Sequence, residues 1–163
     1  MPSVVDAAQS YLSRGWYVVP IPPRQKGPTI KGWPTLRIVD PAAWFRDWDN
    51  IGVILGAASG LVCVDLDHPL AIELGPHFLP PTGLVADTDG KKLTVVEILS
   101  DGNQVVVGPS IHPEGDLYDV LDGEPATIDG LELERAVNNL YNAVVVDRLG
   151  LRIRKEQPKL NGY

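Results

Sequence analysis

Val4, Val5, Ala8, Tyr11 and Leu12 recur at helical spacing behind Ser3, a hydroxyl suited to capping, and predict an amphipathic helix over 3–14 that Gly15 ends. The period then changes. Trp16–Ile21 (WYVVPI) is a short β-rich run closed by Pro22 and Pro23, and Arg24–Pro34 (RQKGPTIKGWP) has loop composition. Asp40-Pro41 predicts a helix start, with Trp44, Phe45 and Trp48 on one face of the helix that follows. Asn50–Leu55 is an apolar strand with a glycine in it, and Leu61–Leu66 (LVCVDL) reads as a buried strand. Residues 69–74 predict a short helix and Pro76–Gly83 a loop. Leu93–Leu99 and Gln104–Val107 read as strands joined by the hairpin signal Ser-Asp-Gly-Asn. Gly108–Gly115 reads as a loop, and Leu131–Leu149 is helix-like through Leu133, Val137, Leu140, Tyr141, Val144 and Val145. The sum is an α+β chain with a mainly antiparallel sheet flanked by helices.

At 163 residues, 44% hydrophobic and 21% charged, the chain can close one sizeable core and falls in the globular range. The 16 glycines and 15 prolines imply many turns and show no collagen period. Cys63 is the only cysteine, which excludes an intrachain disulfide and a thiolate zinc cluster. No apolar run reaches the roughly 18 residues of a membrane helix, and the N-terminus lacks a secretory layout. A soluble, cytoplasmic protein with no membrane partner is the expectation.

The net charge of −7 argues against nucleic acid, yet its distribution does not. Residues 1–60 carry a net +2, residues 61–147 a net −13 and residues 148–163 a net +4. Any metal site would draw on the central acids. Asp65 and Asp67 stand at i and i+2 at a strand end, so both carboxylates project from one face, an arrangement that a divalent cation relieves. Glu97 sits among Val95, Val96, Ile98 and Leu99, where a charge needs a partner unless the strand is a wet edge. If the two strands adjoin, three carboxylates converge as ligands for Mg²⁺ or Mn²⁺.

Ser110 and His112 lie in a proline-stiffened loop suited to triphosphate binding and equally to a plain turn. A serine hydrolase is disfavoured because no Gly-x-Ser-x-Gly elbow exists. Gly52, Gly56 and Gly60 form no dinucleotide fingerprint. Lys26, Lys31 and Trp33 share a loop where two cations and an indole could meet phosphates and bases, and the basic tail Arg148–Lys159 could add phosphate contacts.

The ordered series Ala8, Tyr11, Gly15-Trp16, Val18, Pro20, then Lys26-x-Pro28 with Gly32-Trp33, then Asn50-Ile51-Gly52-Val53 and Gly56, then Ser59-Gly60-Leu61-Val62 leading to Asp65-Leu66-Asp67, resembles the bifunctional DNA primase/polymerase N-terminal domain of the archaeo-eukaryotic primase superfamily. Leu79-Pro80-Pro81-Thr82-Gly83, Val96-Glu97-Ile98 and Gln104–Val107 running into Pro109-Ser110-Ile111-His112-Pro113, Gly115 and Tyr118 extend the resemblance over about residues 8–120.

The resemblance implies a primase-type catalytic fold over 1–130, with a C-terminal helix and basic tail over 131–163 ahead of further domains. It implies Asp65, Asp67 and Glu97 as catalytic metal ligands for Mg²⁺ or Mn²⁺. It also implies a DNA template and primer with nucleoside triphosphates as substrates; the loop chemistry assigns Ser110 and His112 to the nucleotide and Lys26, Lys31 and Trp33 to the DNA, and His112 is a feature of the family separate from its nucleotide histidine. A helicase domain or protein would be a partner in phage or plasmid replication. The family's second motif, a small residue two positions before a histidine, has no counterpart between Gly83 and Val96. Two readings therefore stand: a DNA primase/polymerase impaired by that loss, and a catalytically inactive module of the same fold that binds nucleotide or single-stranded DNA.

Overall fold

Ser3 accepts a hydrogen bond from the Asp6 amide at 3.1 Å and opens helix α1, Val4–Ser13, which Gly15 ends at φ +80° as its lack of a Cβ allows. The computed structural model describes residues 2–80, 95–119 and 123–150. The interval expected to lack the small-x-His motif and the basic tail beyond residue 150 lie outside the described residues.

Strand β1, Val18–Ile21, pairs antiparallel with β2, Asn50–Ile54, in the register Val18↔Val53. β2 pairs antiparallel with the later β5, Gln104–Val107, in the register Ile51↔Val107. The sheet order is β1-β2-β5. Every residue of the central strand is buried, which matches its unbroken apolar run. Val4, Ala7, Ala8 and Tyr11 of α1 pack on Val18, Ile51, Val53 and Val107, with Trp16, Ile38 and Phe45 closing this first core.

A second sheet holds β3, Cys63–Asp65, and β4, Glu97–Leu99, in antiparallel pairing. Helix α2, Pro69–Phe78, packs against α3, Gly130–Asn142, which continues as a π-helix over Ala143–Arg148. Ala71, Val95, Leu140, Val144 and Val145 form this second core. Among the described residues no helix is long and apolar enough to cross a membrane.

Four expectations change. The Ser100–Asn103 turn forms, with the Asn103 amide on the Ser100 carbonyl at 3.0 Å, yet β4 and β5 do not pair. Each strand takes another partner, so the turn passes the chain from one sheet to the other. α2 runs through Pro76 instead of ending before it, because Leu74, Phe78 and Leu79 pack on the second core and outweigh the missing N–H. Leu61–Leu66 is a half-buried ribbon strand rather than a buried one, with Val62 47% exposed, since a two-stranded sheet has no neighbour beyond β3 and β4.

The helix expected over 42–48 shrinks to a 3-10 turn, Pro41–Ala43, capped by the Asp40 carboxylate. The Arg46 amide donates to Asp49 Oδ2 at 2.9 Å, a side-chain acceptor that competes with helical bonding. Phe45 alone turns inward, while Trp44 and Trp48 face solvent.

A buried polar joint holds the loops to this frame. Asn50, 1% exposed at the start of β2, donates from Nδ2 to the carbonyls of Gln25 at 3.0 Å and Ile111 at 2.9 Å. Its Oδ1 accepts from the Ile111 amide at 2.9 Å. Replacing Asn50 with alanine leaves those groups without their partner, and an unsatisfied buried polar group costs about 1–3 kcal/mol. Urea denaturation of Asn50→Ala is expected to show a loss of roughly 3 kcal/mol. A loss below about 1 kcal/mol would mean that the amide is dispensable.

Candidate functional site

The two-stranded ribbon sets two of the three expected acids, Asp65 and Glu97, opposite each other, while the described residues gather no three-ligand group from Asp65, Asp67 and Glu97. Its register sets Cys63 opposite Leu99, Val64 opposite Ile98 and Asp65 opposite Glu97. Directly opposed residues share a face with Cβ atoms about 4.5–5.5 Å apart, and like charges so placed oppose the pairing. Asp65 is half-buried and Glu97 exposed, so Glu97 occupies a wet ribbon edge rather than a position enclosed by apolar residues. Asp67 lies past the end of β3, half-buried, just before His68, whose Nδ1 caps α2 by accepting from the Leu70 amide at 3.1 Å.

The ribbon hangs from the three-stranded sheet through one tight contact. The Ala57 amide donates to Asp101 Oδ1 at 2.8 Å, and the Gly56 amide donates to the Leu61 carbonyl at 2.7 Å. Gly56 adopts φ +82°, and a Cβ there would sit 1.9 Å from Asp101 Oδ1. The turn leading into β3 is thereby locked to the turn leading out of β4, which holds the strand bearing Asp65 beside the strand bearing Glu97.

A divalent cation fits this pair on the chemistry of its donors. Two opposed carboxylates offer oxygen ligands of the hard type that Mg²⁺ and Mn²⁺ take, and their mutual repulsion is what a cation offsets. The local field is visible at Cys63, on the same ribbon face as Asp65. Burial, and after it the Asp65 charge, pushes the Cys63 thiol up to about 11.

The second region is the loop after β5. The Ser110 hydroxyl, on a side chain 1% exposed, donates to the Val107 carbonyl at 2.5 Å and accepts from the Ile51 amide at 2.8 Å. Ser110 therefore turns inward and pins the loop, and Tyr11 adds a bond from its hydroxyl to the Gly108 carbonyl at 2.7 Å. The chain then doubles back. The His112 amide reaches the Asp116 carbonyl at 2.7 Å and the Tyr118 amide reaches the Ser110 carbonyl at 2.9 Å.

This fold-back gathers His112, Glu114 and Asp116 so that one ligand atom from each lies within 4.8 Å of the others, the one such trio among the described residues. One nitrogen and two carboxylates could hold a divalent cation. Glu114 and Asp116 escape a reading by motif, because their i+2 and i+4 offsets from His112 converge only once the loop reverses.

The Lys26 loop is anchored at its base. Gln104 Nε2 donates to the Lys26 carbonyl at 2.7 Å, and Asn50 holds the Gln25 carbonyl. Lys26 and Lys31 are exposed and Trp33 is half-buried. Asn50 thus ties the lysine loop and the His112 loop to the same strand end.

A family model described as bifunctional DNA primase/polymerase, N-terminal, matches residues 8–133. No curated protein and no solved structure matches the chain.

Because Cys63 is the only cysteine, its alkylation reports the field beside Asp65. A thiol pushed up to about 11 is protonated at pH 8, and alkylation needs the thiolate. Asp65→Asn removes the smaller of the two upward influences, so the thiol ionises more readily. Iodoacetamide labelling at pH 8 is expected to speed up by as much as about tenfold, the ratio one pKa unit represents, and to stay slower than for free cysteine because burial remains. An unchanged rate would show that Asp65 does not act on the thiol.

Proposed function

The chain belongs to the bifunctional DNA primase/polymerase N-terminal family, and from that premise we propose that it is a metal-dependent nucleotidyltransferase module that starts and extends DNA strands in a replication protein. The observation that carries the reading is the pairing of Asp65 with Glu97 across the ribbon, with Asp67 following at the strand end. In this reading the reaction is in-line attack of a primer 3′-hydroxyl on the α-phosphate of a nucleoside triphosphate, with pyrophosphate as the leaving group. Asp65, Asp67 and Glu97 would hold Mg²⁺ or Mn²⁺, whose charge would make the hydroxyl a better nucleophile and offset the charge on the leaving oxygens.

The chain's own residues set the geometry. Asp65 and Glu97 present oxygen donors on one face, held by strand pairing rather than by flexible side-chain contacts. Ser110 fixes the loop from inside, and His112, whose Nδ1 accepts from the Glu114 amide at 3.2 Å, is the residue of this loop assigned to the nucleotide. Glu114 and Asp116 beside it would repel a bare triphosphate and favour one delivered with its cation. Lys26, Lys31 and Trp33 are assigned to the DNA strand. In this division residues 1–130 supply the site, and residues 131–163 close the second core and bring a basic tail. A cytoplasmic setting and a helicase partner follow from the same reading.

One observation favours a second reading, a binding module of the same fold without catalysis: no histidine stands between Gly83 and Val96. An unclamped triphosphate forfeits part of the positioning advantage, which for well-oriented reactants reaches roughly 7–11 kcal/mol.

Primer extension with Mn²⁺ and labelled nucleotides separates the two. Activity abolished by chelation, and lowered roughly a hundredfold or more by Asp65→Asn or Glu97→Gln, is the expected outcome, on the scale at which loss of a transition-state charge partner acts. Extension that survives both substitutions would sink the acidic site, and none by the unaltered chain would leave the binding module. Charge reversal at Lys26 and Lys31 is expected to weaken DNA binding and to flatten its dependence on log salt by about 0.7 per lost single-strand phosphate contact. An unchanged slope would make the loop structural only.

A further inference from the structure

Trp44 and Trp48 are 45% and 60% exposed, although tryptophan is ordinarily among the more buried side chains. Among the described residues neither ring stacks on another aromatic side chain or donates its indole N–H to a protein acceptor. Both line an open groove of about 390 Å³, together with Pro22, Ile30, Arg46 and Asp49. The segment that presents them is held firmly. Phe45, 4% exposed, anchors it in the first core, Asp40 caps its 3-10 turn, and Asp49 closes it on the Arg46 amide. Two solvent-facing indoles on an anchored turn form a prepared surface rather than a displaced piece of core.

The charge around the groove selects its occupant. Residues 24–49 carry five basic and three acidic side chains, and two of those acids, Asp40 and Asp49, spend a carboxylate oxygen on backbone amides. The rest of the chain to residue 147 is strongly acidic and would repel a polyanion. Arg46 lines the groove, and so does Ile30, which belongs to the loop that bears Lys26 and Lys31. Aromatic faces for bases beside cations for phosphates are the two elements of single-strand recognition without sequence preference.

We infer that this groove binds single-stranded DNA, with bases stacking on Trp44 and Trp48 and the backbone running along Arg46 and the Lys26–Lys31 loop. The inference rests on the reading of the chain as a DNA-directed nucleotidyltransferase, and it names the surface that receives the unpaired strand.

The test is equilibrium binding of a fluorescein-labelled oligothymidylate to the full chain, by anisotropy, alongside primer extension. Trp44→Ala with Trp48→Ala is expected to weaken binding at least about fivefold and as much as about 150-fold for each stacked base lost, while the Phe pair at these positions stays within about threefold of the unaltered chain. A second reading needs no variant: bound oligothymidylate should quench indole fluorescence and shield the exposed indoles from acrylamide. Binding that is undiminished in the alanine pair, unchanged acrylamide access, or preference for a proline-rich peptide over the oligonucleotide would overturn the inference. If the unaltered chain extends no primer yet its DNA binding depends on the two tryptophans, the catalytic reading falls and the groove stands. If extension proceeds and binding ignores the tryptophans, the groove falls and the catalytic reading stands.

Discussion

One buried amide carries much of the architecture. Asn50 sits where β2 begins, almost wholly excluded from water, and its side chain serves three backbone groups on two loops that are distant in sequence. Asn50 is buried while Ile111 is half-buried and Gln25 exposed, and removing the amide takes away the partner that all three backbone groups share. An apolar side chain of similar size could fill the space but could not hold the Gln25 and Ile111 backbones. The Ser110 hydroxyl and the Tyr11 hydroxyl extend the same joint to β5 and α1. Both loops to which phosphate and nucleotide contacts are assigned therefore start from a rigid base in the first core.

The acidic ribbon obeys the opposite logic. β3 and β4 are short, half-buried or exposed, and their pairing sets two carboxylates against each other. That charge pair works against the apolar pairs Val64–Ile98 and Cys63–Leu99 beside it. What keeps the strands in register is the framework around them: the Gly56–Asp101 contact at one end and the second core, through Leu66 and Val95, at the other. The framework thus holds two like charges face to face, a repulsion of the kind that a cation relieves.

The sequence alone determined the elements whose residues satisfy local chemistry. Ser3 and Gly15 bound α1, the unbroken apolar run of β2 marks a central strand, Ser-Asp-Gly-Asn makes its turn, and the ordered motifs identify the family. Asp65 and Glu97 were legible as singular acids for the same reason, since a carboxylate in an apolar run stands out wherever the run goes.

Only the tertiary structure decided where partners lie. That β4 leaves its hairpin neighbour for β3 depends on which strand end is open, and no local signal encodes that. The outward turn of Trp44 and Trp48 goes with the Arg46 amide bonding to Asp49 in place of a helical acceptor, where periodicity had set both rings on one face with Phe45. The His112, Glu114 and Asp116 trio likewise exists only because the loop reverses. Periodicity reports the face an element would bury if it formed, whereas a nearby side-chain acceptor can take a backbone amide from the helix that periodicity assumes, and the choice among open strand edges is settled by contacts between residues far apart in the chain.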